Sequence, residues 1–75
     1  MTINVKGFGK ITASKEVLND LAVLFIYAEE MFDRRSKDTN RSKEMCEVDT
    51  RMAGYQAERC QSIFEALDAA GYYKK

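Results

Sequence analysis

The chain has 75 residues, with twelve Lys and Arg balanced by twelve Asp and Glu, and no His, Pro or Trp. Neutrality excludes the strongly basic type of nucleic-acid binder and the polybasic type of membrane-surface protein. The missing imidazole removes Ser–His and Cys–His catalysis and any His-ligated metal site, and so short a chain buries only about 60% of its unfolded surface.

Residues 2–13 read as β. Ile3 and Val5 alternate with polar neighbours, Gly7-Phe8-Gly9 follows, and Ile11 and Ala13 resume the pattern. A hairpin turning over Gly7-Phe8-Gly9 pairs Val5 with Ile11 and Ile3 with Ala13, with all four on one face. The rival is one continuous strand from Ile3 to Ile11, paired with a second copy of the chain.

The first helix is expected over 14–35, with Ser14 as N-cap and Glu16 in the first turn. Val17, Leu21, Leu24, Ala28 and Met31 form one apolar stripe. Leu18, Ala22, Phe25 and Phe32 form an adjacent one. From Leu21 to Ala28 the helix is apolar around its whole circumference, which calls for burial on several sides. The expectation is a homodimer with Leu21, Leu24, Phe25, Ala28 and Phe32 at its interface. This longest apolar run is far below the ~20 residues that span a bilayer. Met1 to Lys6 carry no apolar core of a signal peptide.

Residues 36–41 are polar and read as a loop. The second helix is expected over 42–70, capped by Ser42 and closed by Gly71, with 71–75 as a tail. Its apolar stripe runs Met45, Val48, Met52, Tyr55, Cys60, Ile63, Ala66, Leu67, Ala70. Cys46 and Cys60 lie about 21 Å apart on one helix, too far for a disulfide between them. Free thiols and the absence of a leader point to the cytoplasm.

Asp49, Gln56 and Arg59 interrupt the second stripe. An antiparallel bend centred near residue 39 sets Arg59 opposite Asp20, a structural ion pair, and Asp49 opposite Glu29 and Glu30. The same bend gathers Glu29, Glu30, Asp33, Glu44, Glu47 and Asp49 at the loop end, beside Arg34, Arg35, Lys37, Arg41 and Lys43. Three uses compete for this end. The first is a solvated tip of mixed charge. The second is a protein-binding epitope built on Glu29, Glu30, Asp33, Arg34, Arg35, Glu47 and Asp49. The third is an oxygen-ligated Mg²⁺ site using Glu30, Asp33, Glu47 and Asp49.

Glu29-Glu30-Met31-Phe32-Asp33, followed by Glu44-Met45-Cys46-Glu47, loosely resembles the paired acidic helix motifs of the all-α nucleotide pyrophosphohydrolases of the MazG type. That resemblance implies Mg²⁺ held between facing helices and cleavage of nucleoside triphosphates. It covers about twenty residues, and two carboxylates three apart are common on any helix. It departs where Asp and Glu exchange at the last acid of each motif, and the spacing between motifs is short. Membership does not follow. The basic loop residues form a further candidate, for phosphate or nucleic acid, which neutrality disfavours.

The overall expectation is a mainly α protein: a short N-terminal β-hairpin, or single strand, then a long antiparallel two-helix hairpin that dimerises into a four-helix arrangement. The expected function is a small, non-enzymatic cytoplasmic module that binds another protein, as an inhibitor or regulator would, with no resident cofactor.

Overall fold

The structure, a computed structural model, describes residues 1–74; the expected tail residue Lys75 lies outside them. Two strands, β1 (Thr2–Val5) and β2 (Gly9–Thr12), precede two helices, α1 (Lys15–Ser36) and α2 (Lys43–Ala69). The strands form one antiparallel hairpin, and the helices pack as a helical hairpin. The single-strand alternative is therefore set aside.

The hairpin pairs Ile3 with Ile11 and Val5 with Gly9, two residues away from the expected register. The reason lies in the glycines. Gly7 and Gly9 both take positive φ, at 75° and 101°. Phe8 N–H donates to Val5 O at 2.9 Å, so the turn is Val5-Lys6-Gly7-Phe8 with Gly7 in its third position. Only glycine adopts that backbone readily there. Because the shift is even, the faces are unchanged: Ile3 and Val5 stay buried, with Ile11 and Ala13 packed at the edge.

Both helix starts are capped as their sequences dictate. Ser14 Oγ accepts from Val17 N–H, and Ser42 Oγ accepts from Met45 N–H, each at 3.2 Å. At the end of α2, Gly71 N–H donates to Asp68 O and Tyr72 N–H to Leu67 O. With Gly71 at φ 78°, this is a Schellman closure. It turns Tyr72 onto the core, and Tyr73 donates its hydroxyl to Asn19 Oδ1 at 2.7 Å, so the tail through Tyr73 is docked.

The core is made of Ile3, Val5, Leu18, Ala22, Phe25, Cys60, Ile63 and Leu67. From α1 it takes the stripe Leu18–Ala22–Phe25. The neighbouring stripe faces outward: Val17, Leu24 and Met31 are exposed, and Leu21 and Ala28 are half-buried. Phe25 is therefore an internal residue, with its ring edge-on to Phe8 at 5.9 Å, and not a dimer contact.

The bend between the helices is lopsided. Arg35 reaches Asp49, and Arg59 lies over Phe25. Both pairs place α2 about one and a half turns further along than a symmetric bend would. The first turn of α2 thus lies beside the last residues of α1, where Cys46 Sγ comes within 3.8 Å of Arg35 O. This removes the expected Asp20–Arg59 ion pair. Asp20 is exposed, and the Arg59 guanidinium instead sits 5.2 Å from the centre of the Phe8 ring and 5.8 Å from that of Phe25. Among the described residues no helix is long and apolar enough to cross a membrane.

Candidate interaction site at the loop-proximal end

Asp49 sits one and a half turns into α2, on the side that meets α1, and is almost fully buried. A carboxylate removed from water needs partners. Arg41, the last loop residue before the Ser42 cap, donates from Nη2 to Asp49 Oδ2 at 2.7 Å. Arg35, in the last turn of α1, places Nε 3.9 Å from the same oxygen. The three residues tie α1, the loop and α2 together. Arg41 Nε is buried without a hydrogen-bond partner, so the clamp is not fully satisfied.

The loop is tightened further from inside. Asn40 N–H donates to Asp38 Oδ1 at 2.9 Å, and Arg41 N–H to Asp38 O at 3.2 Å. Cys46 Sγ lies 3.6 Å from Asp38 O in the loop and 3.8 Å from Arg35 O in the last turn of α1, so its thiol donates toward both. Above the clamp opens a cleft of about 440 Å³ lined by Arg35, Arg41, Glu44, Met45, Val48 and Asp49. It is a shallow depression that opens widely to solvent. Met45 and Val48, both about half exposed, supply its apolar wall.

The expected cluster of six acids does not assemble. Asp49 is neutralised inside the tip. Asp33 points outward and binds Lys37 Nζ at 3.1 Å, one helical turn on. Glu30, Glu44 and Glu47 are exposed. Glu29 is half-buried along the helix and, together with burial, holds the Cys60 thiol above its ordinary pKa, burial being the larger cause. Among the described residues no three carboxylate or thiol groups lie close enough to share a metal ion. Glu30, Asp33, Glu47 and Asp49, the alternative Mg²⁺ ligands, are therefore not brought together. The lopsided bend accounts for this, since it carries the start of α2 beyond the acids of α1.

Of the residues expected to bind a partner, Arg35 and Asp49 line the cleft. Arg34, Glu30, Asp33 and Glu47 are exposed and Glu29 is half-buried, and none of them lines it. Of the expected dimer contacts, Leu24 is 63% exposed, while Leu21, Ala28 and Phe32 are half-buried. The sequence places Arg41 beside Asp49 only as one of five bases at this end, and the structure singles it out as the partner. The available signal was an Asp inside the stripe Met45–Val48–Met52, which demands a cation within reach.

A second, smaller cleft of about 210 Å³ lies where the β-hairpin meets α2, lined by Lys6, Glu58, Gln61, Ser62 and Glu65. Lys6 Nζ is 3.6 Å from Glu58 Oε1, and Lys6 N–H donates to Ser62 Oγ at 3.4 Å. These contacts dock the hairpin on α2.

The chain matches no family model, no curated protein and no solved structure.

Proposed function

We propose that this protein is a small, non-enzymatic interaction module of the cytoplasm, acting as an inhibitor or regulator of a larger protein. The observation that carries the reading is the cleft at the loop-proximal end. It has an apolar wall of Met45 and Val48, a floor closed by the Arg41–Asp49 pair, and a rim of both charge signs in Arg35 and Glu44. Such a cleft suits one apolar side chain of a partner, with polar contacts fixing its orientation around it. Methionine adapts to the shape of what it meets. No serine, threonine, cysteine or tyrosine lines the cleft, and its buried carboxylate is held by two cations. The arrangement thus favours binding over group transfer. The scattering of the acids withdraws support from the pyrophosphohydrolase-like alternative.

The test is retention of a stoichiometric protein from a cell lysate on the immobilised chain. Val48→Glu should abolish it, and Lys10→Glu, on the exposed side of the β-hairpin, should leave it intact. Retention that survives Val48→Glu removes the cleft from the proposal.

A further inference from the structure

The outer face of α1 carries a pattern that the cleft does not use. Val17, Leu21, Leu24, Ala28 and Met31 step by four and three along one stripe, and Val17, Leu24 and Met31 are exposed. Along one flank of that stripe run Glu16, Asp20, Tyr27 and Arg34, spaced so that they too share a line on the helix. All four are exposed, with Tyr27 at 63%. Among the described residues none of Glu16, Asp20 or Arg34 has an ion-pair partner. The β-hairpin docks on α2 and leaves this face of α1 open.

The order of charges on the flank is acid, acid, tyrosine, base. That order is complementary to itself read backwards. We infer that a second copy of this chain covers the face, with the two α1 helices antiparallel about a two-fold axis centred between Leu24 and Ala28. In that register Leu24 of each chain packs on the partner's Ala28, and Leu21 packs on the partner's Met31. Ala28 is small enough to let the helices approach. The partner's Arg34 falls level with position 18, between Glu16 and Asp20, which lie one turn apart. The two-fold repeats this contact at the other end, as an isologous interface requires. The two Tyr27 side chains meet near the axis, which gives a partner to one of the most exposed aromatic rings on the helix. Zero net charge sets no overall repulsion between copies. A different protein would satisfy the apolar stripe equally well, but the reversed charge order is matched by this chain itself.

The inference deepens the interaction-module reading by naming one occupant, and its stripe leads up to the cleft, whose Arg35 lies one turn beyond Met31. It is tested by sedimentation equilibrium over a concentration series. The wild type should have the dimer mass. Arg34→Glu and the double variant Glu16→Arg with Asp20→Arg should each be largely monomeric, with helicity by circular dichroism little changed because all three sites are exposed. An equimolar mixture of the two variants should recover the dimer mass, since opposite charges then meet at both ends. A monomeric wild type at every concentration overturns the inference. So does a dimer indifferent to the substitutions in both variants, or a mixture that stays monomeric. Val48→Glu should leave the dimer mass unchanged, so failure of the cleft and failure of the α1 interface are read separately.

Discussion

Arg41 and Asp49 are joined at 2.7 Å across the mouth of the helical hairpin, eight residues apart in sequence and on different elements. The pair ties the loop to α2, and Arg35, 3.9 Å from the same carboxylate oxygen, adds the end of α1. Asp49 is almost fully buried and Arg41 mostly so, hence neither can exchange its partner for water without a large rearrangement. Removing one member of a buried pair leaves a charge uncompensated, at about 3 kcal/mol. Asp49→Ala should therefore lower stability by roughly that amount in urea unfolding, and Arg41→Ala by a similar one. Arg35→Ala should cost under about 1 kcal/mol, because its contact is longer and its side chain more exposed. Equal losses at Arg35 and Arg41 would show that the clamp is shared and not carried by Arg41.

The two stripes of α1 make opposite predictions for adjacent residues. Leu18 is fully buried and Val17 is 55% exposed. Leu18→Ala should destabilise by about 2–5 kcal/mol through lost burial and the cavity left behind. Val17→Ala should change the unfolding free energy of the dilute chain by about 0.5 kcal/mol or less, the usual range at an exposed site. Thermal unfolding of both variants at low concentration decides which stripe is the core.

These comparisons also mark what the sequence made legible. Ser14, Ser42 and Gly71 could be read directly, since a cap or a positive-φ closure is local chemistry. The faces of the β-hairpin were readable from alternation, but its register was not, because Gly7 and Gly9 offer two turns of the same parity. The choice between the Val17 and Leu18 stripes was not readable either. Both are apolar at helical spacing, and only the placement of α2 and the hairpin decides which one is covered. The candidate acidic site failed for the same reason. A bend assumed symmetric brought Asp49 to Glu29 and Glu30, whereas the real bend brought it to Arg35 and Arg41.

Two glycines should respond to alanine with opposite signs. Gly54 lies inside α2 in an ordinary helical conformation, and a Cβ there meets nothing within 4 Å. Gly54→Ala should stabilise by about 0.5–1 kcal/mol, because glycine is the poorer helix former and the less restricted unfolded chain. Gly71 holds φ 78° in the Schellman closure, where a Cβ is disfavoured. Gly71→Ala should destabilise by roughly 1 kcal/mol. Melting temperatures of the two variants, measured side by side, check both signs.

The Cys60 thiol predicts a direction in pH. Burial, aided by Glu29, raises its pKa above the ordinary 9.0. The folded state therefore holds that proton more tightly than the unfolded state does. The stability linked to it is fully present below the unfolded pKa and is lost as pH rises through the folded one. Alkaline destabilisation should begin near pH 9 and be reduced in Cys60→Ala relative to the parent. For the same reason a thiol reagent at neutral pH should modify Cys46 well before Cys60, as peptide mapping after brief labelling would show. Equal labelling of both would mean that Cys60 is not shielded by Ile63 and Leu67.

Arg59 holds the tip of the β-hairpin to the helices in an unusual way. Its guanidinium lies over Phe8 and Phe25, donates to Gln56 Oε1 at 3.3 Å, and has Nε buried without a partner. No carboxylate pairs with it among the described residues. Its contribution therefore divides into ring contact, which favours folding, and desolvation, which opposes it. Methionine keeps most of the apolar contact with both rings and removes the desolvated charge. Arg59→Met should then be as stable as the parent or slightly more so, as often found when buried ionic groups are replaced by well-packed apolar ones. Arg59→Ala removes the contact as well, leaving Phe8 only its edge-on packing against Phe25, and should cost about 1–2 kcal/mol. Phe8→Ala in the Arg59→Met background should cost less than in the parent by about the cation–π share, roughly 0.5–1 kcal/mol. A double-mutant cycle by urea unfolding measures that difference, and a coupling of zero would reduce Arg59 to a spacer between the two rings.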